Sequence, residues 1–262
     1  MASTAKWGYS KDNGPSTWAK NLCIKLGDSQ SPIDIIQRQC GFDSNLKKLK
    51  FTYPSFENAK LLNNGNTVLF SPPDNRDNTS SVNFGPVANQ YKLAQFHFHW
   101  GENDDTGSEH TIDGEPYSGE LHLVHWNTDS YGSAKEALTS KNGLVVFGIF
   151  MKVGQEDHSG LSNITAKLPL IQKAGSSTIL KEPFNPSCLF PDSLEYWSYP
   201  GSLTTPPLSE SVTWVVFKKP IIVSSAQVAA FRELESDDGE KVCQNFRPTC
   251  PVNKRQVKAS FQ

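Results

Sequence analysis

Two stretches of strict alternation constrain this chain more than any other feature. In Gln95-Phe96-His97-Phe98-His99-Trp100, polar and aromatic residues take turns. On an extended strand that period puts Gln95, His97 and His99 on one face and Phe96, Phe98 and Trp100 on the other. Glu120-Leu121-His122-Leu123-Val124-His125-Trp126 repeats the pattern, grouping Glu120, His122 and Val124 and sending His125 to the opposite face. Five of the six histidines fall between positions 97 and 125, where uniform scatter would place fewer than one. A neighbouring antiparallel strand would bring His122 opposite the pair His97 and His99. Three neutral imidazoles without an evident fourth protein ligand are the donor set of a catalytic zinc site, with an open position for water. Imidazole suits zinc, and the set holds no carboxylate that would favour a harder cation. Gln95 and Glu120 each stand two residues before a candidate ligand on the same face, placed to accept its second ring N–H. His125 reads as a structural residue, His110 as a structural partner for a carboxylate such as Glu120, and His158 as a solvent loop residue.

The rest of the chain reads as mostly β, within the α+β class. Further β-rich runs lie at Thr67 to Phe70, Leu144 to Val153, Val212 to Val223 and Gln256 to Phe261, and turn-formers separate them. The first alternating stretch extends over Lys92 to Trp100 and the second over Glu120 to Asn127. Helical signals are few: Ser224 and Gln227 have capping-box spacing ahead of Val228, Phe231 and Leu234, and a second helix is expected over Leu161 to Lys173. The first 45 or so residues lack periodicity and read as surface loops with one or two short turns. No linker or repeat divides the 262 residues, so positions 1–262 form a single domain.

Composition removes several function classes. Lys plus Arg number 25 against 27 Asp plus Glu, a net charge of −2. That balance lacks the basic excess that drives nucleic-acid binding. The longest apolar run, Leu144 to Met151, is far short of the ~20 residues of a membrane span, so no membrane association is expected. Met1 to Gly8 has no apolar signal core, and five scattered cysteines without a C-x-x-C pair suit reduced thiols; both favour a cytoplasmic address.

The same residues resemble the α-class carbonic anhydrases, of the cytosolic animal type. Gln95-Phe96-His97-Phe98-His99-Trp100-Gly101 looks like the family's first metal strand, and Ser108 to Asn127 resembles its signature with the third ligand. Ser202-Leu203-Thr204-Thr205-Pro206-Pro207-Leu208 is similar to its Thr-Thr-Pro-Pro turn. Gln30-Ser31-Pro32-Ile33-Asp34-Ile35, Asn245-Phe246-Arg247-Pro248 and Lys258-Ala259-Ser260-Phe261 extend the likeness, which runs from Trp7 to the C-terminus.

The resemblance implies a central twisted, mostly antiparallel ten-stranded sheet with short flanking helices and a conical cavity ending at Zn2+. It implies reversible hydration of carbon dioxide to bicarbonate and a proton, with His97, His99 and His122 as metal ligands. Gln95 would hold His97, Glu120 would hold His122, and the backbone carbonyl of Asn245 would hold His99. Thr204 would accept a hydrogen bond from zinc-bound hydroxide and donate to Glu109, the pair orienting the hydroxide that attacks carbon dioxide. Val124, Val146, Leu203, Thr204, Thr205, Val212 and Trp214 would form the substrate site, and sulfonamides and anions would inhibit there. A monomer acting on a small molecule is expected.

The chain departs from the fastest members in one respect. They carry a shuttle histidine after an Asn-Asn-Gly turn, whereas here Asn63-Asn64-Gly65 is followed by Asn66, whose amide carries no proton at neutral pH. Proton transfer is therefore expected to limit turnover, with Tyr9 and Asn64 helping to order the water path. Leu203 leaves the cavity neck open, and Leu208 occupies a position where extracellular members carry a disulfide cysteine. An inactive binding module of this family would typically lack a zinc histidine, and this chain keeps all three. A zinc protease is disfavoured because no His-Glu-x-x-His is present.

Overall fold

The computed structural model describes residues 6–46, 48–73 and 79–262. Its centre is a large mixed sheet of thirteen strands among the described residues. Ten of them form a continuous path: Ser177–Ile179, Lys60–Asn63, Val68–Ser71, Val87–Trp100, Gly119–Asn127, Leu144–Gly154, Val212–Phe217, Tyr196–Gly201, Lys258–Ala259 and Gly41–Phe42. Ile221–Ser224, Lys50–Thr52 and Ser81–Phe84 pair off that path. Most neighbours are antiparallel; Leu144–Gly154 runs parallel to Val212–Phe217 and to Ile221–Ser224, and Lys258–Ala259 parallel to Gly41–Phe42. The expected sheet is thus present, with three additional strands.

Each face of the sheet buries its own apolar cluster. Phe96, Phe98, Trp100, Leu121, Leu123, Val145 and Phe147 pack on one side, where the helix Ser225–Arg232 contributes Val228 and Phe231. Val124, Leu144, Val146, Val212 and Trp214 pack on the other with Trp197 and Tyr199. Alternation along central strands produces this division, since successive side chains leave opposite faces.

Several expected elements change their bounds. The run from Val212 to Val223 is two strands, Val212–Phe217 and Ile221–Ser224, and Pro220, which has no N–H for a ladder, lies in the break. The helix expected over Leu161 to Lys173 is Ser159–Thr165 followed by a 3-10 turn, Leu168–Leu170. Pro169 explains the stop, because its ring would meet the carbonyl of Thr165 in a continuous helix. Of Gln256 to Phe261 only Lys258–Ala259 is paired. Ser224 caps Ser225–Arg232 in a complete capping box with Gln227, as its spacing predicts.

Candidate metal centre

A β-bulge sets the phase of the histidine strand. Pairing of Val87–Trp100 with Gly119–Asn127 shifts between Leu93 and Gln95, so Ala94 is the extra residue. Before the bulge, odd-numbered Tyr91 and Leu93 enter the aromatic core; after it, even-numbered Phe96, Phe98 and Trp100 do. His97 and His99 consequently face the opposite side, with His97 directly across from His122. The three rings lie with centroids 5.1 Å (His97–His99), 5.3 Å (His97–His122) and 4.5 Å (His99–His122) apart.

Each ring spends one nitrogen on a fixed partner. Gln95 Oε1 lies 2.8 Å from His97 Nδ1, the Asn245 carbonyl 2.8 Å from His99 Nδ1, and Glu120 Oε1 2.8 Å from His122 Nε2. These contacts leave His97 Nε2, His99 Nε2 and His122 Nδ1 to converge, and one ligand atom from each ring fits within a 4.8 Å group able to hold a metal ion. Asn245 is itself fastened to the strand end, its Oδ1 accepting Trp100 N–H at 2.7 Å and its Nδ2 donating to Phe98 O at 2.9 Å.

Glu120 is the hub beneath the triad. Fully buried, it accepts from the N–H groups of Glu109 and His110 through Oε2 and contacts His110 Nδ1 at 2.7 Å through Oε1. Burial alone would raise its pKa; the attraction and hydrogen bonds of His110 and His122 outweigh burial and hold the carboxyl well below the usual range. His110 passes the network to Tyr199 OH at 2.6 Å, which meets Ser31 Oγ at 2.9 Å. The group His110, Glu120 and His122 is also close enough for a metal, yet its facing atoms already satisfy one another.

Two buried atoms of the triad region have no hydrogen-bond partner, His99 Nε2 and Glu109 Oε2, and they lie 3.4 Å apart. A ring that donates through Nδ1 points a lone pair from Nε2, so two acceptors face each other. Burial, then the neighbouring imidazoles, depresses the pKa of His97, and burial depresses that of His99. Neutral nitrogen donors and an unsatisfied carboxylate oxygen together suit a divalent cation, and the three imidazoles fit zinc.

The cavity above the triad has a volume of about 450 Å³ and is lined by His97, His122, Val124, Val146, Leu203, Thr204, Thr205 and Trp214. Val212 is buried in the same apolar cluster as Val124, Leu144, Val146 and Trp214 and pairs in register with Leu144. The wall also includes Ala134, Lys135 and Leu138 on and beside the short helix Ala134–Ala137, with Leu69 and Ser71 from a neighbouring strand. Those residues carry no local motif, and sequence reading missed them.

The expected Thr204–Glu109 hydrogen bond is not formed. Arg247 N–H holds Glu109 Oε1 at 2.8 Å, which leaves Oε2 turned to the histidines. Tyr9 and Asn66 line a separate recess of about 280 Å³ with Gly65, Asp238 and Lys241. Asn64 is an exposed turn residue whose Oδ1 accepts the N–H groups of Asn66 and Thr67. His125 sits on the far face against Tyr53 OH at 2.7 Å. His158 is no free loop residue: half-buried, it caps Ser159–Thr165 by accepting Leu161 N–H at 3.2 Å.

Residues 13–261 match the model of the eukaryotic-type carbonic anhydrases. The chain is 45% identical over 260 residues to human carbonic anhydrase 7, covering 98% of this chain and 97% of that protein. It is 46% identical over 267 residues to mouse carbonic anhydrase 1, covering both chains in full.

Proposed function

The chain belongs to the eukaryotic-type carbonic anhydrase family and is a carbonic anhydrase, and from that premise we propose which of its residues carry the zinc-dependent hydration of carbon dioxide. His97 Nε2, His99 Nε2 and His122 Nδ1 hold the ion. Bound zinc supplies Lewis acidity that makes water nucleophilic near neutral pH, which is the established behaviour of carbonic anhydrases as a class. The observation that carries this reading is the convergence of three imidazoles, two buried and His97 half-buried, whose other nitrogens are all engaged.

Gln95, Asn245 and Glu120 fix the tautomer and tilt of the three rings, each through the nitrogen that faces away from the ion. Thr204, in the cavity lining, orients the attacking oxygen, while Glu109 acts from its place beside His99 and His122 and not through Thr204. Val124, Val146, Leu203, Val212 and Trp214 form the apolar wall that receives carbon dioxide and keeps bulk water off it, and Thr205 borders the substrate. Bicarbonate leaves through the same cavity, and sulfonamides and anions compete for it. Tyr9 and Asn66 border the water path. Neither titrates near neutrality, because burial first and the Glu109 charge second push the Tyr9 phenol well above its ordinary range. The released proton therefore passes to buffer.

The five cysteines are free, which supports a reducing, cytoplasmic compartment, and we assign a monomer. Among the described residues no helix is long and apolar enough to cross a membrane. Zinc content and stopped-flow carbon dioxide hydration, with and without a sulfonamide, test the reading in wild type and His122→Ala. About one zinc per chain and sulfonamide-sensitive hydration lost with His122 are expected. Metal-free protein, or hydration that survives the substitution, overturns it.

A further inference from the structure

We propose that Lys135 makes the mouth of the histidine-floored cavity selective for anionic ligands, favouring those that anchor on the floor and carry a carboxylate at the outer end. The inference rests on the function proposed above and adds a specificity determinant to that site.

Among the described residues, Lys135 is the only lysine, arginine, aspartate or glutamate lining the cavity. The other polar side chains of the lining are Ser71, Gln95, Thr204, Thr205 and the two histidines; no carboxylate opposes the ammonium. Lys135 takes part in no ion pair among the described residues. Its neighbour Glu136 is engaged elsewhere, with Oε2 accepting Gly132 N–H at 3.1 Å. The backbone that carries Lys135 is well held: Ser133 caps the helix Ala134–Ala137, Ala137 is fully buried, and Ser140 Oγ donates to Glu136 O at 2.7 Å. Lys135 therefore combines a fixed base with an exposed, uncompensated charge.

The setting strengthens that charge. Leu138, Leu144, Val146, Leu203 and Pro207 line the same cavity, and apolar walls lower the local dielectric and focus the field of a single ion. A separate recess is lined by charges of both signs, Glu102, Asp237, Asp238 and Glu240 with Lys6 and Lys241, so its carboxylates are partly offset. The chain as a whole carries a net charge of −2, so no general basic field accounts for anion preference. Selection at this cavity has to come from Lys135 and from whatever the histidines hold.

Matched pairs of zinc-anchoring ligands provide the test, on zinc-loaded protein by isothermal titration calorimetry. Benzenesulfonamides with a para carboxylate, attached directly or through a two-carbon tether, are compared with their neutral carboxamide counterparts. In wild type the better-fitting carboxylate is expected to bind about three- to fivefold tighter than its carboxamide, the scale of a partly exposed ion pair. Lys135→Gln abolishes the preference and leaves the carboxamide Kd within about twofold, which also reports that the variant is folded. Lys135→Arg keeps the preference, Lys135→Glu reverses it, and high salt weakens it in wild type. An undiminished carboxylate preference in Lys135→Gln, or none in wild type while both carboxamides bind, overturns the inference alone. Failure of the carboxamides themselves to bind wild type overturns the function proposed for the site, and this inference with it.

Discussion

Glu109 Oε2 stands 3.4 Å from His99 Nε2, buried, with no hydrogen bond to either atom. A carboxylate oxygen and an imidazole lone pair in that position repel unless a cation lies between or beside them. Zinc removal should therefore lower stability more than the loss of a surface ion would. With free zinc at about a thousandfold over its Kd, linkage gives about 4 kcal/mol of stabilisation. Thermal melts with and without chelator read it, and equal Tm values would refute it.

The ligand supports should be separable from the ligands. Gln95 touches His97 from a half-buried position, and Gln95→Ala should leave the fold intact while weakening zinc affinity about 10- to 100-fold. Competition with a chromophoric chelator measures the change. Glu120→Ala is a different case, because it strips partners from two backbone N–H groups and two buried rings at once. A loss of about 3–5 kcal/mol in urea unfolding is expected there.

His125 makes stability depend on pH. Burial pushes its pKa down from 6.5 to about 3, so the unfolded chain binds this proton more readily than the folded one. The folded state then pays no penalty above pH 6.5, and stability falls as pH drops from there toward 3. The share of this one group at pH 5 is about 2 kcal/mol. Replacing both partners, Tyr53→Phe with His125→Phe, should flatten the loss between pH 7 and 5 by about that amount in denaturant titrations. An identical slope in the double variant would show that His125 titrates normally.

With Asn66 where a proton carrier would stand, turnover is expected to be limited by proton transfer. Neither it nor Tyr9 offers a proton carrier near neutral pH, so maximal hydration should rise with buffer concentration and most with imidazoles. Asn66→His is expected to raise kcat in dilute buffer by at least about tenfold and to remove most of the buffer dependence. Fast hydration in the wild type, indifferent to buffer, would contradict this.

Much of the site is legible along the chain because its residues sit on two strands of simple period. His97, His99 and His122, with Gln95 and Glu120, follow from alternation alone. The bulge at Ala94 is not legible: Lys92 to Trp100 reads as one run, although the structure changes its phase midway.

What the sequence determined by itself was the chemistry on offer: a β-rich domain, three imidazoles on one face, aromatic residues on the other, and no histidine at Asn66. These are properties of spacing and residue type, which local geometry translates directly. Tertiary structure decided which distant groups complete the site. The Asn245 carbonyl that holds His99 is 146 residues away in the chain, and the Arg247 N–H that turns Glu109 is 138 away. Lys135 reaches the cavity only because its short helix packs beside Gly119–Asn127. No period links such residues; contacts between positions this far apart in the chain form only when the elements pack.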